Sequence, residues 1–235
     1  MRHPLHRFLL IGRLDPRSRH PDDERRANIA RDFVQVLAER RSDWWDRRPR
    51  LIDQRQVFAG WMVRPEHAFD VVARMHRITW PWRFRFRLNG AVELPSGTAA
   101  RQRLLDDIDA DELIEWIDER RPWCPPVELP LELALVGRHR KPEEHAVELL
   151  GRAHVEAMAR WTPTQRVFCH AAMEGRRASE IAREQSTSRQ AVAAVLRRGG
   201  VADLLRIENA VREWISLRVH DRRVHRSRTR PLIRL

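Results

Sequence analysis

The stretch 161–200 constrains the fold of this chain most, because it divides into three short helical segments separated by tight breaks. Thr162 followed by Pro163 is typical of a helix start: the threonine side chain can cap free backbone amides, and proline suits the first helical position. Gly175 predicts the end of that helix, since glycine readily adopts the left-handed conformation needed there. Two further short helices follow within 25 residues of this glycine.

The second and third helices of the stretch are predicted to cross steeply around a small shared core. The second contains Ala182, whose short side chain allows close approach, and the third begins at Ser188 and ends at Gly199-Gly200. This arrangement is that of a helix-turn-helix, in which the last helix enters a DNA major groove. The residues predicted to share its core are Val167, Ala171, Ile181, Ala182, Val192 and Leu196.

The outer face of the third helix carries side chains suited to reading bases. Arginine can pair bidentately with guanine and glutamine with adenine. The residues predicted to face the bases are Ser188, Arg189, Gln190, Ala193 and Arg197, and those predicted to meet phosphates are Arg176, Arg177 and Arg198. The alternative is an ordinary helical bundle with exposed arginines.

This stretch resembles the helix-turn-helix of LuxR-type regulators and of sigma-factor region 4. The shared residues, at the family spacing, are Thr162, Gly175, Glu180-Ile181-Ala182, Ser188 and Val192. The turn departs from the family pattern, because Gln185-Ser186-Thr187 stand where those families usually have Leu-Gly-Ile. It therefore lacks two apolar residues and a glycine.

The charge distribution favours a polyanionic partner for the same region. The chain has a formal net charge of +12, yet residues 101–150 hold 7 basic and 13 acidic residues, which gives −6. Residues 151–235 hold 18 basic and 8 acidic residues, which gives +10. Lys141 is the only lysine, so the arginine content partly reflects a GC-rich genome, and a basic surface that only aids solubility is the alternative.

The cysteines and the apolar runs predict a cytoplasmic protein. Cys124 and Cys169 are isolated and lack metal-binding or disulfide spacing, which favours a reducing compartment. The apolar run at 8–12 is far too short for a signal core or a membrane span. No membrane association is expected.

The front half predicts a ferredoxin-like βαββαβ domain, so the whole chain is expected to be an α+β protein with an all-α C-terminal domain. Alternation and helical spacing predict strands at 7–12, 50–54, 57–63 and 82–88, and helices at 21–41 and from Pro65 onward. Polymerase and nucleotide-cyclase palms share this layout. On the last strand Arg83, Arg85 and Arg87 alternate with apolar residues, which favours a solvated sheet face; a phosphate-bearing ligand is the alternative.

Four segments are predicted in all. They are a palm-like domain with an acidic helical extension (1–122), a connection with a linker helix (123–160), the helix-turn-helix domain (161–219) and a basic flexible tail (220–235). Within the connection an edge strand is expected at 127–135 and a helix at 142–160. The inward stripe of that helix is predicted to consist of Val147, Leu150, Ala153, Ala157 and Trp161. A helix at 201–219, with Trp214 inward, is expected to support the helix-turn-helix or to form a dimer interface.

Over most of its length the chain is similar to the SatD family, whose members combine a palm-like front half with a C-terminal helix-turn-helix. The matching motifs are Phe8-Leu9-Leu10-Ile11-Gly12, Ser18-Arg19, Phe58-Ala59-Gly60, Pro65-Glu66-His67, Trp161-Thr162, Gln165 and Glu180-Ile181-Ala182. Outside the last part of the chain these motifs are short.

The departures from that family argue against metal-dependent catalysis. The family pattern implies acidic residues after the first strand and in the hairpin, where a palm holds two Mg²⁺ ions on a triphosphate. Here Gly12-Arg13 and Arg55-Gln56-Val57-Phe58 stand in those places. Asp15 and Asp53 are the nearby substitutes, and no catalytic residue, metal site or cofactor is predicted.

The sequence therefore predicts a sequence-specific double-stranded DNA-binding protein, a transcription regulator whose palm-like half has lost catalysis. That half would sense a ligand such as a nucleotide, or form a homodimer. One alternative is a palm-class enzyme acting on nucleotides or nucleic acid. The other is an adaptor whose basic face docks an acidic protein.

Overall fold

The computed structural model describes residues 8–14, 23–52, 57–80, 84–90, 131–134 and 142–228. The fold is mixed α/β, with a small four-stranded antiparallel sheet, one added strand and a mostly helical C-terminal half. The strands are β1 (Phe8–Leu14), β2 (Trp45–Ile52), β3 (Val57–Met62), β4 (Phe84–Gly90) and β5 (Leu131–Ala134). The helices are α1 (Asp23–Arg40), α2 (Ala68–Thr79), α3 (Pro142–Ala159), α4 (Pro163–Met173), α5 (Ala178–Glu184), α6 (Arg189–Arg198) and α7 (Val201–Arg228).

The sheet has the strand order β2-β3-β1-β4-β5. β1 pairs antiparallel with both β3 and β4, with Gly12 opposite Phe58 on one side and Phe86 on the other. The predicted edge strand is confirmed: β5 pairs in parallel with β4, Leu88 standing opposite Leu133. Glycine is required at position 12, because a Cβ there would lie 2.4 Å from the Phe86 ring.

Helices α1 and α2 pack on the same face of the sheet. Strand alternation turns Phe8 and Leu10 toward this face, where they meet Phe33 of α1 and Phe69 of α2 in one apolar cluster. Each such side chain contributes about 1.5–3 kcal/mol when it is fully buried. This cluster fixes the position of α2, whose polar edge faces the C-terminal helices.

The opposite face of the sheet is also buried, which corrects the expectation of a solvated face with alternating arginines. Leu9 and Ile11 are fully buried there, and Arg87 has no exposed surface. Arg85 is half-buried, and Arg83 lies outside the described residues. A guanidinium is tolerated in such a place only when it is paired, and both Arg85 and Arg87 are engaged in interactions.

The buried face of α3 combines apolar and polar residues, so the predicted apolar stripe is only partly right: Val147 is buried as expected, but Leu150 is not. Leu150 is 41% exposed, whereas Glu148 and His154 are buried. The reason is that the carboxylate of Glu148 accepts a hydrogen bond from the backbone N–H of Leu133, at 2.7 Å, at the end of the sheet. The spacing of apolar residues cannot predict that a carboxylate will be buried, because its hydrogen-bond donor is a backbone N–H elsewhere in the fold.

Helix α7 belongs to the core of the sheet as well as to the C-terminal half. Val211, Ile215 and Val219 lie in the same apolar cluster as the sheet residues, while Trp214 is half-buried against that cluster. The helix continues past the boundary expected at 219 and ends at Arg228. The two sides of the chain therefore share one core.

Several predicted features lie outside the described residues. These are the acidic helical extension at 96–121, Cys124, and residues 229–235 at the end of the basic tail. Within the residues described, no helix has both the length and the apolar character needed to cross a bilayer.

Candidate nucleic-acid interface

Helices α4, α5 and α6, which we call the trihelical unit, each begin with a defined cap. The Thr162 hydroxyl accepts from the Gln165 N–H at 3.3 Å, and the Gln165 side chain accepts from the Thr162 N–H at 2.9 Å. The Glu180 carboxylate accepts from the Arg177 N–H at 2.9 Å at the start of α5. At the start of α6, the Ser188 hydroxyl accepts from Ala191 N–H at 3.0 Å. These caps satisfy amides that helix starts leave free.

The turns between the helices are tight and depend on left-handed residues. Gly175 has a φ of +88°, as the sequence predicts for the end of α4. Between α5 and α6, Ser186 has a φ of +48°, so a serine holds the left-handed position at which the resembling families have glycine. Thr187 N–H donates to the Ala182 carbonyl at 2.9 Å and completes this turn. The unusual turn sequence therefore closes tightly, at the cost of backbone strain.

The core of the unit contains most of the predicted residues, with one correction. Ile181, Ala182 and Val192 are buried together, as predicted. Val167, however, is 49% exposed, and its neighbour Phe168 fills the core instead. A ring offers far more apolar area than a valine, so the rotation of α4 that buries Phe168 is favoured.

A second small cluster holds the end of α6 against α4 and α7. The indole N–H of Trp161 donates to the Gly199 carbonyl at 2.9 Å. Gly199 packs so closely on Cys169 that an added Cβ would lie 2.4 Å from the sulfur. Burial raises the pKa of the Cys169 thiol to about 11, so this sulfur stays a neutral packing group rather than a nucleophile.

The outer surface of the unit exposes every predicted contact residue. The exposed residues are Arg176, Arg177, Ser188, Arg189, Gln190, Ala193, Arg197 and Arg198. Arg189, Ala193 and Arg197 follow one another at intervals of four, so they lie along one side of α6. No carboxylate occurs anywhere between residues 185 and 200.

The arginines on this surface differ in how far their charge is already neutralised. Arg176 forms an ion pair with Glu184 across α5. Among the described residues, Arg189 and Arg197 have no carboxylate within ion-pair distance, so their full charge faces solvent. The charge of Arg176 is thus partly neutralised within the unit, whereas that of the two α6 arginines is not.

Sequence reasoning missed Arg183, which is exposed on α5 next to the turn that leads to α6. In docked units of this general geometry the helix before the reading helix crosses the phosphate backbone. The exposure of Arg183 could have been predicted from the sequence. It follows the predicted core residues Ile181 and Ala182 and must therefore point away from the core.

The structure also brings together charged residues that lie far apart in sequence, where α2 meets the C-terminal helices. Arg212 donates to both oxygens of Asp70, at 2.6 and 3.0 Å. The buried Arg77 and His154 both bond to Glu208, at 2.7 and 3.0 Å. Although burial alone raises the pKa of each carboxyl, hydrogen bonds with His67 and Arg212 hold the pKa of Asp70 below its ordinary range, and His154 and Arg77 do the same for Glu208. We call this group of residues the junction network. No local sequence pattern predicts it.

The front-half pattern that would hold metal in a palm has no equivalent among the described residues. Gly12 and Arg13 pair with Phe58 and Val57 across β1 and β3. Within the described ranges no three His, Cys, Asp or Glu side chains are grouped to hold a metal ion. Asp15 and Asp53 lie outside those ranges, so their role stays a prediction.

Comparison with protein-family models, with curated proteins and with solved structures finds no match. The geometry of this surface is therefore the basis for the functional proposal.

Proposed function

We propose that this chain is a sequence-specific double-stranded DNA-binding protein that acts as a transcription regulator in the cytoplasm. The trihelical unit is a helix-turn-helix in this proposal, and α6 lies in the major groove. Arg189 and Gln190 near its start read base edges, where guanine and adenine offer matching acceptors and donors. Arg177, Arg183 and Arg198 contact the phosphates on either side.

One observation supports this proposal above the others. The outer face of α6 is exposed, and residues 185–200 contain no carboxylate to repel a polyanion. A helix that served only as a structural part of a bundle would normally bury that face or mix both signs of charge on it. Arginine along one exposed side is instead what a charged groove requires.

For the front half we propose a ferredoxin-like domain of the SatD type that no longer catalyses a reaction. The strand order β2-β3-β1-β4, with both helices on one face, supports this layout. Arginine at position 13 and valine at position 57, where the family pattern implies carboxylates, support the loss of metal chemistry. The domain then serves to bind a ligand or to form a homodimer on a palindromic site.

The test is a selection of bound fragments from genomic DNA, followed by a salt titration on the selected duplex. If about four phosphates are neutralised per protomer, the logarithm of the affinity falls linearly with the logarithm of salt, with a slope of about −3.5. Failure to bind any duplex at low salt contradicts the proposal. Equal affinity for all duplexes leaves only non-specific binding and contradicts the regulator role.

Two substitutions separate base contacts from phosphate contacts. Gln190→Ala is expected to relax preference at one base pair by about 1–3 kcal/mol with an unchanged salt slope. Arg198→Ala is expected to weaken binding to all duplexes and to reduce the slope by about 1. Arg206→Ala is the matched control, because Arg206 is an exposed arginine on α7 that already pairs with Asp203 at 2.8 Å.

A further inference from the structure

A cleft of about 500 Å³ opens where α2 faces the C-terminal helices. Its lining includes Arg41 and Trp44, together with Arg74 and Arg77 of α2. Glu174, the C-cap of α4, also lines it. The cleft therefore touches both the front half and the trihelical unit.

The lining is strongly charged, with five arginines and four carboxylates. Two of the carboxylates are unavailable to a ligand's cationic group, because Asp70 is clamped by Arg212 and Glu208 by Arg77 and His154. A third, Asp43, pairs with Arg64 at 3.1 Å. The cleft consequently does not present free negative charge, and a cationic ligand is disfavoured.

Two arginines in the cleft, in contrast, can still form further interactions with an anion. The Nε of Arg77 is buried and has no hydrogen-bond partner among the described residues. Arg41 lies over the Trp44 ring, 5.2 Å from its centroid, and has no carboxylate partner in the described part of the chain. A buried guanidinium N–H without a partner is costly, and an incoming acceptor oxygen would satisfy it.

Glu174 indicates the chemistry that the cleft accepts. Its carboxylate is held by Arg74 and lies 3.6 Å from Arg77, yet the side chain is still 37% exposed. The protein thus places one of its own anions on the two arginines, in a position that solvent reaches. An anion with more charge and more acceptor oxygens can compete for the same pair, and a phosphate group has both advantages.

We propose that this cleft binds a small phosphate-bearing anion. Its oxygens accept hydrogen bonds from Arg74, Arg77 and Arg41 and displace the carboxylate of Glu174. The site is distinct from the DNA-binding surface and needs no DNA to be tested. Either inorganic phosphate or an organic phosphate ester could supply the group, so the probes must distinguish them.

Calorimetric titration of the full chain tests this site, with phosphate, pyrophosphate, adenosine monophosphate and citrate compared at constant ionic strength and pH. We expect saturable binding of at least one phosphate compound, with a Kd below about 1 mM. Arg74→Gln is expected to weaken it by about tenfold or more, because a charge-assisted hydrogen bond is lost. Arg41→Gln, a milder change at the rim of the cleft, is expected to act in the same direction.

The outcomes separate the ligand sources and decide the proposal. Tighter binding of adenosine monophosphate identifies an organic ester, whereas equal or tighter binding of phosphate or pyrophosphate identifies the inorganic group. Binding that is equal in the wild type, in Arg74→Gln and Arg41→Gln, and in the exposed control Arg206→Gln would overturn the site. So would tighter binding of citrate than of every phosphate compound, or no saturable heat with any probe.

Discussion

Ser186 carries the strain of the turn before α6. Its φ of +48° puts a residue with a side chain in the left-handed region, at a cost of about 1–2 kcal/mol. Ser186→Gly should relieve this strain, although the greater freedom of glycine in the unfolded chain offsets part of the gain. We expect the free energy of unfolding to rise by about 0.5–1 kcal/mol, measured by urea denaturation.

Two controls accompany this substitution. Ser186→Ala should leave stability within about 0.5 kcal/mol of the wild type, because alanine meets the same backbone strain. Gly175→Ala should lower stability by about 1 kcal/mol: its φ is +88°, and no atom lies within 4 Å of an added Cβ, so only the backbone conformation opposes it. A loss of stability in Ser186→Gly would show that the serine side chain supports the turn.

His170 should make the stability of the protein fall in mildly acidic solution. Burial, together with the positive charges of Arg77 and Arg166, lowers its pKa from 6.5 to about 4. Between these values the unfolded chain binds a proton that the folded chain does not, so stability falls as the pH drops from 6.5 to 4 and is fully present above 6.5. The contribution lost between pH 7.5 and 5 is about 2 kcal/mol.

The variant His170→Leu isolates this effect. The Nε2 of His170 is buried without a hydrogen-bond partner in the described structure, so leucine leaves no polar group unsatisfied. The difference in unfolding free energy between wild type and variant should change by about 2 kcal/mol over this pH range. A difference that is independent of pH would contradict the assignment.

Among single residues, the sequence predicted those whose role depends on near neighbours. Thr162, Gly175 and Ser188 have the roles inferred from their positions, because capping and turn formation are local. The choice between Val167 and Phe168 for the core was wrong, since it depends on the rotation of α4 against two other helices. Local pattern does not determine that rotation.

Helix α6 depends on its first residue both for stability and for its proposed use. The Ser188 hydroxyl caps the helix through Ala191 N–H, so Ser188→Ala should cost about 1 kcal/mol of stability. Aspartate caps as well as serine does, so Ser188→Asp should retain stability. It also adds a negative charge where DNA is proposed to lie, and DNA affinity should fall by about tenfold or more.

This pair of variants distinguishes a structural role from an interface role. Thermal unfolding should show a lower midpoint, by about 2–4 °C, in Ser188→Ala only. Fluorescence anisotropy with a labelled duplex should show the larger affinity loss in Ser188→Asp. Equal DNA affinity in Ser188→Asp and wild type would place the duplex elsewhere on the protein.

At the level of elements, strand and helix positions were more predictable than the faces they bury. β1, β3, β4, α1 and the three short helices lie close to their predicted ranges, and β5 was expected from an apolar–acidic alternation. β2, in contrast, begins at Trp45, five residues before the predicted start at 50. The faces of α3 and β4 were mistaken, because Glu148 and Arg87 are polar residues that are buried with partners elsewhere in the chain. Only the assembled fold provides those partners.

The whole molecule is joined by contacts between residues that are very distant in sequence. Arg77 meets Glu208 across 131 positions, and Asp70 meets Arg212 across 142. Neither pair could be predicted without an alignment, because each partner alone is an ordinary surface-type residue in the sequence. Removing one partner of the buried Arg77–Glu208 pair leaves the other charge unpaired, which typically costs about 3–5 kcal/mol. The junction network therefore resists relative movement of the two halves, whereas Glu174, beside it, is held at a more exposed site by Arg74 and Arg77.

Glu174 makes the proposed anion site and the proposed DNA surface interdependent. It is the C-cap of α4 and comes directly before the turn that carries Gly175, Arg176 and Arg177. A phosphate compound that displaces its carboxylate from Arg74 would release this turn and leave a free negative charge beside the arginines that are proposed to meet DNA. Saturating ligand should therefore lower DNA affinity, by about tenfold if the coupling is of typical size.

Anisotropy titrations of the selected duplex, with and without saturating pyrophosphate at constant ionic strength, measure this coupling. Because linkage is reciprocal, saturating duplex must lower the affinity for pyrophosphate by the same factor. In Glu174→Gln there is no carboxylate to displace, so pyrophosphate should still bind the cleft while DNA affinity changes by less than about twofold. An undiminished effect in Glu174→Gln would mean that the ligand acts on the DNA surface directly. An unchanged DNA affinity in the wild type would mean that the two sites are independent, since a ligand shifts an equilibrium only by its differential affinity for the two states.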